Sequence, residues 1–453
     1  MSAVKFIETV FRNFFPSPFT IAIFLTLLII LIATLFTDES IGNIIYGWEK
    51  GLWNSGLLSF TTQMMLMLVL GHSVALTKVA SRSISHITKF CRNTSSAASI
   101  VSFFSILISL FNWGLGLIFG AILARKVGES SMENNIKINY PLIGAAGYSG
   151  LMVWHGGLSG SATLKISEKN HFNEIISNES LIKALPENID FSNTVFSNMN
   201  IFVSLLLIIF IPTLFMIIGK ISKKESTVKL KKLSLEKPFQ EKGEKFLAEK
   251  LDGSNFLGTF IGGSILLLSI GKIFISESLE FINPNYINLT LFGLALFLHS
   301  NINNFLKSIS IAIKGASGIL IQFPLYFGIM GIMTASGLVS IFSDFFVRIS
   351  TDFTYPIYTM ISAGIVNIFV PSGGGQWAVQ APIILQAAYE LSVPFEKTIM
   401  AFVYGDQLTN MLQPFWALPL LGITALKARQ ILPYTILIML CGLFIFLLGI
   451  ILF

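Results

Sequence analysis

Pro371-Ser372-Gly373-Gly374-Gly375-Gln376 interrupts an apolar stretch that otherwise extends from Tyr358 to Ala388. Because proline and consecutive glycines are poor helix formers, the sequence predicts that residues 371–376 are not helical. In the hydrocarbon core of a membrane, every backbone N–H and C=O group needs a hydrogen-bond partner. Broken backbone is therefore tolerated there only where it is buried in protein or lines a cavity. The glycine run accordingly predicts a functional site and not a linker.

The composition is typical of an all-α polytopic membrane protein. Hydrophobic residues make up 53% of the 453 residues and charged residues only 12%, against about 25% charged residues in soluble domains. The net charge of +6 is attributed to basic cytoplasmic loops, so binding of nucleic acid is not expected. Cys91 and Cys441 are expected at different depths, which predicts neither a disulfide nor a thiolate metal site.

Apolar segments that approach or reach the length of a spanning helix recur along the chain. Residues 1–17 precede them and are predicted to form a helix on the membrane surface, because apolar residues lie opposite Lys5, Glu8 and Arg12 at helical spacing. The predicted spans are residues 19–36, 57–77, 139–164, 198–219, 255–275, 288–306, 315–342, 398–425 and 432–453.

Two further apolar stretches, 95–124 and 355–389, are each long enough for two half-helices. The first contains the break Phe111-Asn112-Trp113-Gly114-Leu115-Gly116, and the second contains the glycine run. We therefore predict two re-entrant hairpins. Interrupted apolar segments at matching places in two halves of a chain indicate the binding site of a transporter.

The spans 139–164 and 398–425 are predicted to be broken helices. Residues 148–161 and 404–414 within them combine glycines with polar side chains, so both helices are expected to unwind near the middle of the membrane. Four chain breaks would then converge. Half-helix N-termini at such breaks suit an anion, and carbonyl groups released from the helix suit a small cation.

These features predict two repeats, residues 18–219 and 255–453, joined by a Lys-rich cytoplasmic linker at 220–254. A cytoplasmic N-terminus places most of the 30 Lys and Arg residues on the cytoplasmic side of the membrane. In that orientation the first hairpin enters from the cytoplasm and the second from outside. Opposite entry sides are expected of an inverted repeat.

Five segments carry a resemblance to a known family: Asn112-Trp113-Gly114, Tyr140-Pro141-Leu142, Trp154 to Ser161, Pro371 to Ala378, and Gly405 to Leu420. The chain resembles the short-chain fatty acid transporters, whose bacterial members take up acetoacetate, butyrate and related small monocarboxylates. The resemblance implies the fold of the ion-transporter superfamily, in which hairpins and broken helices hold substrate and coupling ion. It also implies a homodimer in a bacterial cytoplasmic (inner) membrane and an elevator-type motion of a transport domain against a scaffold.

Asp406 is the one acidic residue deep inside a predicted span, where a carboxylate is costly enough to indicate a function. It is expected to be the coupling residue, as proton carrier or cation ligand, and a structural bond that caps a helix break is the alternative. His155 is expected either to donate to a substrate carboxylate or to satisfy broken backbone. The expected substrate-binding residues are Asn112, Trp113, Gly114, His155, Gly156, Gly157, Ser159, Ser372, Gly373, Gly374, Gly375, Gln376, Thr409 and Asn410. For Na+ as the coupled ion, the expected ligands are Asn112, Ser372, Asp406, Thr409 and Asn410.

Four tryptophans lie beside or just after the breaks: Trp113, Trp154, Trp377 and Trp416. Two interpretations of these tryptophans stay open at this point. The four side chains fill the protein core, or they form an apolar wall for a short acyl chain.

Residues and resemblance together predict a secondary active transporter that imports short-chain monocarboxylates with H+ or Na+. The alternatives are a transporter or antiporter for another small organic anion and, from a different class, a membrane-embedded transferase that uses His155 with Asp406. The chain has no P-loop, His-Glu-x-x-His or Gly-x-Ser-x-Gly motif, so neither ATP hydrolysis nor an enzyme activity is expected. No cofactor is expected apart from Na+ as a coupling ion.

Overall fold

The computed structural model describes residues 17–176, 179–222, 230, 247–276, 281 and 283–453. Nearly all of the predicted surface helix at 1–17 and most of the predicted linker at 220–254 lie outside these residues. The described residues form helices and contain no strand element.

Seven helical segments in the described part of the chain are long and apolar enough to cross a membrane: Phe19–Phe36, Ile41–Ala75, Thr94–Phe111, Asn198–Ile221, Asn255–Ile275, Ser317–Ala335 and Ala428–Leu452. The segment Ile41–Ala75 contains a turn and comprises the helices Ile41–Leu52 and Ser55–Ala75. The prediction of an all-α, multi-pass membrane protein is confirmed.

The other α-helices complete the described fold. They are Lys78–Thr88, Trp113–Glu133, Tyr140–Tyr148, Ser161–Ser167, His171–Ile175, Glu179–Ala184, Leu247–Asp252, Pro284–His299, Ile302–Ala312, Leu338–Arg348, Tyr355–Phe369, Gly373–Glu390, Phe395–Thr409 and Pro414–Thr424.

Large apolar side chains on the outside of the molecule indicate where lipid contacts it. On the helix Asn255–Ile275, Phe256 is 77% exposed and Phe274 is 84% exposed. In water such exposure costs about 25 cal/mol per Å² of apolar area. Lipid tails are as apolar as these side chains, so the cost disappears in a bilayer.

Two predicted spans are divided in the structure. The span predicted at 288–306 is interrupted at Ser300, which has a φ of +67°, and the span predicted at 315–342 is interrupted at Gly337, which has a φ of +71°. Backbone in this region of positive φ ends a helix, because the next peptide group cannot continue the helical hydrogen-bond pattern. The apolar composition of both segments did not reveal these turns.

The helix Ile41–Leu52 was not predicted, and close packing accounts for it. Its Gly47 lies against the helix Ser317–Ala335, where a Cβ atom added to Gly47 would be 3.1 Å from the carbonyl oxygen of Gly331. Small residues at a helix contact allow the two backbones to approach closely. This contact is tertiary, so no local pattern in the sequence indicates it.

The first hairpin consists of Thr94–Phe111 and Trp113–Glu133, with Asn112 as the one residue between the two helices. Asn112 has a φ of −149°, and its Oδ1 accepts a hydrogen bond of 2.9 Å from the Leu115 amide. A single asparagine therefore ends one helix and caps the next. The break predicted at 111–116 was too long for this reason.

The second arm of the first hairpin continues to Glu133, beyond the predicted hairpin end at residue 124. Arg125 and Lys126 each lie 3.0 Å from a carboxylate oxygen of Glu129, and Arg125 and Glu129 are buried. Charges that neutralise one another can be buried. The sequence alone had suggested that these residues end the apolar stretch.

The second hairpin consists of Tyr355–Phe369 and Gly373–Glu390, joined by residues 370–372. The glycine run is helical, which overturns the prediction that all of 371–376 is broken. Ser372 caps the second arm, because its Oγ accepts a hydrogen bond of 3.2 Å from the Gly375 amide. The cap and the apolar continuation of the helix outweigh the low helix propensity of glycine.

Both predicted broken helices are interrupted in the structure. The first passes through a 3₁₀ turn at Ser149–Met152 and non-helical residues 153–160 before the short helix Ser161–Ser167. The second passes through a 3₁₀ turn at Asn410–Leu412 and an extended Gln413. These two interruptions are called the first break and the second break below.

Asp406 lies inside the helix Phe395–Thr409, one turn before the second break. The break predicted at 404–414 therefore began too early. Gly405 would favour a break by propensity, but a Cβ atom added there would lie 2.9 Å from the Cβ of Ala363. Close packing at this glycine offsets the roughly 1 kcal/mol that glycine costs inside a helix.

Candidate functional site

Side-chain hydrogen bonds join the first and second breaks directly. The Tyr148 hydroxyl donates to the carbonyl oxygens of Asn410 at 2.7 Å and Gln413 at 3.1 Å. In the opposite direction, Gln407 Oε1 accepts from the amides of His155 at 3.0 Å and Gly156 at 3.1 Å. A side chain from the helix before each break thus bonds backbone groups of the other break, as buried backbone requires.

The tip of the first hairpin is docked on the first break. The Trp113 amide donates to Ser159 Oγ at 2.9 Å, and the Leu158 amide donates to the carbonyl oxygen of Leu110 at 2.8 Å. A Cβ atom added to Gly157 would lie 2.5 Å from the same carbonyl oxygen. Gly157 is therefore needed for the close approach of the two backbones.

The tip of the second hairpin is docked where both breaks meet. A Cβ atom added to Gly373 would lie 2.8 Å from the Trp154 ring, 3.0 Å from the His155 ring and 3.3 Å from Asp406 Oδ2. The neighbouring Gly374 is in open surroundings, because an added Cβ there would meet only the Cβ of Ser161, at 3.8 Å. Of the two glycines, Gly373 is the one that requires the absence of a side chain.

His155 and Asp406 form a buried hydrogen-bonded pair at this meeting point. The side chain of His155 is fully buried, and that of Asp406 is 1% exposed. His155 Nδ1 bonds Asp406 Oδ2, and His155 Nε2 accepts a hydrogen bond of 3.0 Å from the Ala162 amide. A ring nitrogen that accepts carries no proton, so this geometry assigns the neutral imidazole with its proton on Nδ1.

The neutral tautomer of His155 leaves Asp406 without a counter-charge. Within the described part of the chain, Asp406 has no ion pair with Lys or Arg, and its Oδ1 is buried without a hydrogen-bond partner. Burying a carboxylate in a medium of low dielectric constant is costly unless its charge is neutralised. The site therefore favours a proton or a small cation at Asp406.

Asn367, on the first arm of the second hairpin, organises the residues around Asp406. Its Nδ2 donates to the carbonyl oxygen of Asp406 at 2.7 Å, to Thr409 Oγ1 at 2.9 Å and to Asn410 Oδ1 at 2.9 Å. Its own carbonyl oxygen accepts from Gln413 Nε2. Three acceptors for one amide nitrogen settle the orientation of the side chain, which leaves Asn367 Oδ1 as an acceptor with no partner among the described residues.

Three backbone carbonyl groups at the second break accept hydrogen bonds from side chains. Tyr148 bonds those of Asn410 and Gln413, and Thr435 Oγ1 donates to that of Met411 at 2.7 Å. The unpartnered oxygens around Asp406 are therefore on side chains.

Within the described structure, Asp406, Asn367 and Gln413 each have one side-chain oxygen that is buried without a partner: Asp406 Oδ1, Asn367 Oδ1 and Gln413 Oε1. Carboxylate and amide oxygens are the ligands that hard cations prefer. The described chain brings together no group of three or more His, Cys, Asp or Glu residues that would suit a metal ion of another class. The residues present fit a monovalent cation or a proton better than a transition metal.

The other predicted site residues form contacts within and between the hairpins and neighbouring helices. Asn112 and Ser372 cap the second arms of their own hairpins, so neither is drawn to Asp406 by a hydrogen bond in the described structure. Gln376 Nε2 bonds the carbonyl oxygen of Ala363 at 2.8 Å, which links the two arms of the second hairpin. Gly114 faces the Met67 side chain, and Gly156 bonds Asn200 through its carbonyl oxygen.

Three of the four tryptophans near the breaks form one cluster. The centroid of the Trp113 ring lies 5.8 Å from that of Trp154 and 5.1 Å from that of Trp416, and Trp154 and Trp416 are 6.5 Å apart. We call Trp113, Trp154 and Trp416 the tryptophan cluster. Trp377 lies elsewhere, with its Nε1 donating to His171 Nε2 at 3.0 Å.

Asn367, Gln407 and Tyr148 were missed by the sequence analysis. A signal existed for Asn367, which is the one amide within the apolar run Tyr358 to Val370. Gln407 and Tyr148 stood inside the predicted breaks, but only the folded chain shows that each of them serves the opposite break.

Comparison with known proteins gives one consistent result along the whole chain. The family model described as short chain fatty acid transporter matches residues 2–453. An Escherichia coli (strain K12) protein whose name assigns it to the short-chain fatty acid transporters is 33% identical over 451 residues, covering 99% of each chain. A Haemophilus influenzae protein with the same name is 31% identical over 433 residues, covering 95% of this chain and 94% of the relative.

Two solved transporter structures are also similar to this chain. The Alcanivorax borkumensis YdaH transporter has a TM-score of 0.42 and 12% identity, covering 96% of this chain and 98% of its own. Neisseria gonorrhoeae MtrF has a TM-score of 0.45 and 14% identity, covering 98% of this chain and 96% of its own.

Proposed function

Because the chain belongs to the short-chain fatty acid transporter family, we propose that it is a secondary active transporter that imports small monocarboxylates together with H+ or Na+. The observation that carries this proposal is the buried Asp406, which has a neutral imidazole at one oxygen and no partner in the described chain at the other. Such a group takes up a cation most readily when the site is closed to water.

Coupling follows from the charges. A monocarboxylate brings one negative charge to a site that already contains a carboxyl group without a counter-charge. A proton or Na+ at Asp406 removes the repulsion between them, so each ligand favours binding of the other, and this coupling is reciprocal. Moving substrate and cation together also lowers the cost of carrying charge through a low-dielectric region.

Alternating access between two repeats of opposite orientation is part of the proposal. In support of it, the two hairpin tips are built alike: Asn112 and Ser372 have φ values of −149° and −147°, and each caps the second arm of its hairpin. We propose that both hairpins are re-entrant, and that they and the broken helices move as a transport domain against a dimeric scaffold, as the resemblance to the superfamily implies. The proposed location is the bacterial cytoplasmic membrane.

Uptake by the purified protein in proteoliposomes tests this function. Imposed pH and Na+ gradients are varied separately, and accumulation of labelled butyrate and acetoacetate is measured. We expect accumulation above equilibrium with one of the two gradients and none with liposomes lacking the protein. Uptake that merely equilibrates under both gradients would refute coupled transport, and chemical conversion of the substrate would favour a transferase.

The orientation is tested by labelling two engineered cysteines. Glu187 and Lys250 are exposed and lie on either side of the span Asn198–Ile221. With Cys91 and Cys441 replaced by Ala, we expect Glu187→Cys to react with an impermeant maleimide in intact cells, and Lys250→Cys to react only after permeabilisation. The reverse pattern would place the N-terminus outside and contradict the orientation derived from the Lys and Arg distribution.

A further inference from the structure

We propose that the tryptophan cluster is the subsite for the acyl chain of the substrate, and that the indole N–H of Trp154 binds the substrate carboxylate. The inference rests on the proposed function, since it assigns the two parts of a monocarboxylate to separate parts of the same site. It predicts which side chains set the preferred chain length.

The position of Trp154 connects the tryptophan cluster with the pair His155 and Asp406. Its ring is stacked on that of His155, with centroids 4.4 Å apart and an angle of 16° between the planes. On its other sides Trp154 contacts Trp113 and Trp416. Apolar surface therefore begins directly beside His155 and Asp406, as a short acyl chain attached to a carboxylate requires.

The indole N–H of Trp154 is a hydrogen-bond donor inside the site. Trp154 is 4% exposed, and its Nε1 has no hydrogen-bond partner in the described part of the chain. Most buried side-chain donors in proteins are paired, because an unmade hydrogen bond in the interior is costly. A carboxylate oxygen would satisfy this donor. Trp377, whose indole N–H is bonded to His171, offers no such donor.

Further aromatic rings close one end of the tryptophan cluster. Trp416 packs on Phe415 with centroids 4.9 Å apart, and Phe415 is stacked on Phe323 at 3.9 Å. These two phenylalanines are fully buried, whereas Trp113 and Phe60 are half-buried. The cluster thus extends from half-buried rings on one side to fully buried rings on the other, and the buried rings would limit an acyl chain entering beside Trp113 to a few carbons.

Phe60 and the three rings of the tryptophan cluster come from four separate segments. Phe60 lies on the helix Ser55–Ala75 and has its centroid 6.3 Å from that of Trp113 and 6.2 Å from that of Trp416. Trp113 is at the first hairpin tip, Trp154 in the first break, and Trp416 just after the second break. The apolar wall therefore forms only when the hairpin and both breaks are assembled. Recognition of the acyl chain accordingly requires the assembled site.

The experiment compares butyrate and hexanoate uptake by variants in proteoliposomes. Trp416→Leu shortens the wall and should raise the ratio of hexanoate to butyrate kcat/KM roughly tenfold, since two methylene groups fill the space that the ring leaves. Trp113→Leu, at a half-buried position that tolerates change, should shift the ratio in the same direction. Phe256→Leu, on the lipid-facing surface, is the control and should leave the ratio unchanged.

A second variant tests the carboxylate donor. Trp154→Phe keeps an aromatic ring and removes the N–H, so the KM should rise roughly tenfold for butyrate and for hexanoate alike, because both substrates have the carboxylate. Trp53→Phe, at a tryptophan that is 67% exposed, is the matched control. Size-exclusion chromatography and thermal unfolding establish that each variant is folded.

The outcomes separate this inference from the proposed function. If the wild-type protein transports monocarboxylates but Trp416→Leu and Trp113→Leu, both folded, leave the chain-length ratio unchanged, the acyl subsite is refuted. An unchanged KM for Trp154→Phe refutes the carboxylate donor. If the wild-type protein accumulates no monocarboxylate at all, the proposed function itself fails.

Discussion

Replacing Asp406 with Asn is expected to reduce gradient-driven accumulation of butyrate by roughly 100-fold while leaving a folded protein. A hydrogen bond to a charged group contributes about 1.5–3 kcal/mol, and in the variant the bond from His155 becomes a weaker bond between neutral groups while the charge that would attract a cation is removed. The substituted asparagine can still accept from His155 Nδ1, so the shape of the site is retained. Initial rates of accumulation in proteoliposomes, normalised to folded protein, measure the effect.

Asp352→Asn is the matched control, because Asp352 is an exposed acid in a connecting segment. It should accumulate butyrate at the wild-type rate. Full accumulation by Asp406→Asn would show that Asp406 is not the coupling residue.

Counterflow exchange by the same variant distinguishes the coupling ion. An asparagine resembles a protonated aspartate, so a proton-coupled transporter should still exchange labelled for unlabelled butyrate across the membrane. A sodium-coupled transporter should lose exchange as well, because the amide no longer supplies a charged ligand. Thermal unfolding in detergent excludes general destabilisation as the cause of either result.

Gly373→Ala is expected to slow uptake at least roughly tenfold, whereas Gly374→Ala is expected to stay within about twofold of the wild-type rate. The methyl group at position 373 would press on Trp154, His155 and Asp406 at 2.8–3.3 Å, while that at position 374 has a single neighbour at 3.8 Å. Overpacking of this kind costs about 1–3 kcal/mol, which is enough to hold the hairpin tip away from His155 and Asp406.

The two variants are a matched pair. Both add one methyl group to the first turn of the same helix, so their effects on helix propensity are similar, and only the contacts of the added carbon differ. Uptake rates are measured at equal amounts of folded protein in the membrane. Equal activity of the two variants, or a larger loss at Gly374, would contradict the docking of the hairpin tip on His155 and Asp406.

Properties that depend on a run of neighbouring residues could be predicted from the sequence. Long apolar segments predicted an all-α multi-pass membrane protein, and the clustering of glycine and polar residues in apolar surroundings predicted the general position of each break. The exact extent of the breaks could not be predicted in the same way. Gly373 and Gly405 are helical because a cap or a packed neighbour compensates for their low propensity, and neither compensation is visible in the local sequence.

Hydrogen bonds between residues far apart in the chain could not be predicted from the sequence either. Asn367 is 39 residues from Asp406 along the chain, and Tyr148 is 262 residues from Asn410, yet hydrogen bonds join both pairs. The polar residue types at the breaks were visible in advance, but their partners were not. Asn112 and Ser372, two of the expected Na+ ligands, cap the second arms of their own hairpins.

The sequence by itself determined the class of protein and the presence of costly polar groups at membrane depth, because hydrophobicity and solvation energy belong to individual residues and short segments. Only the tertiary structure decided which of those groups satisfy one another and which are left over. It gave His155 its tautomer through the Ala162 amide and left one oxygen of Asp406 unpaired among the described residues. Hydrogen bonds and close packing depend on distances of a few ångström between residues far apart in the chain, and these distances are set only when the hairpins and breaks are assembled.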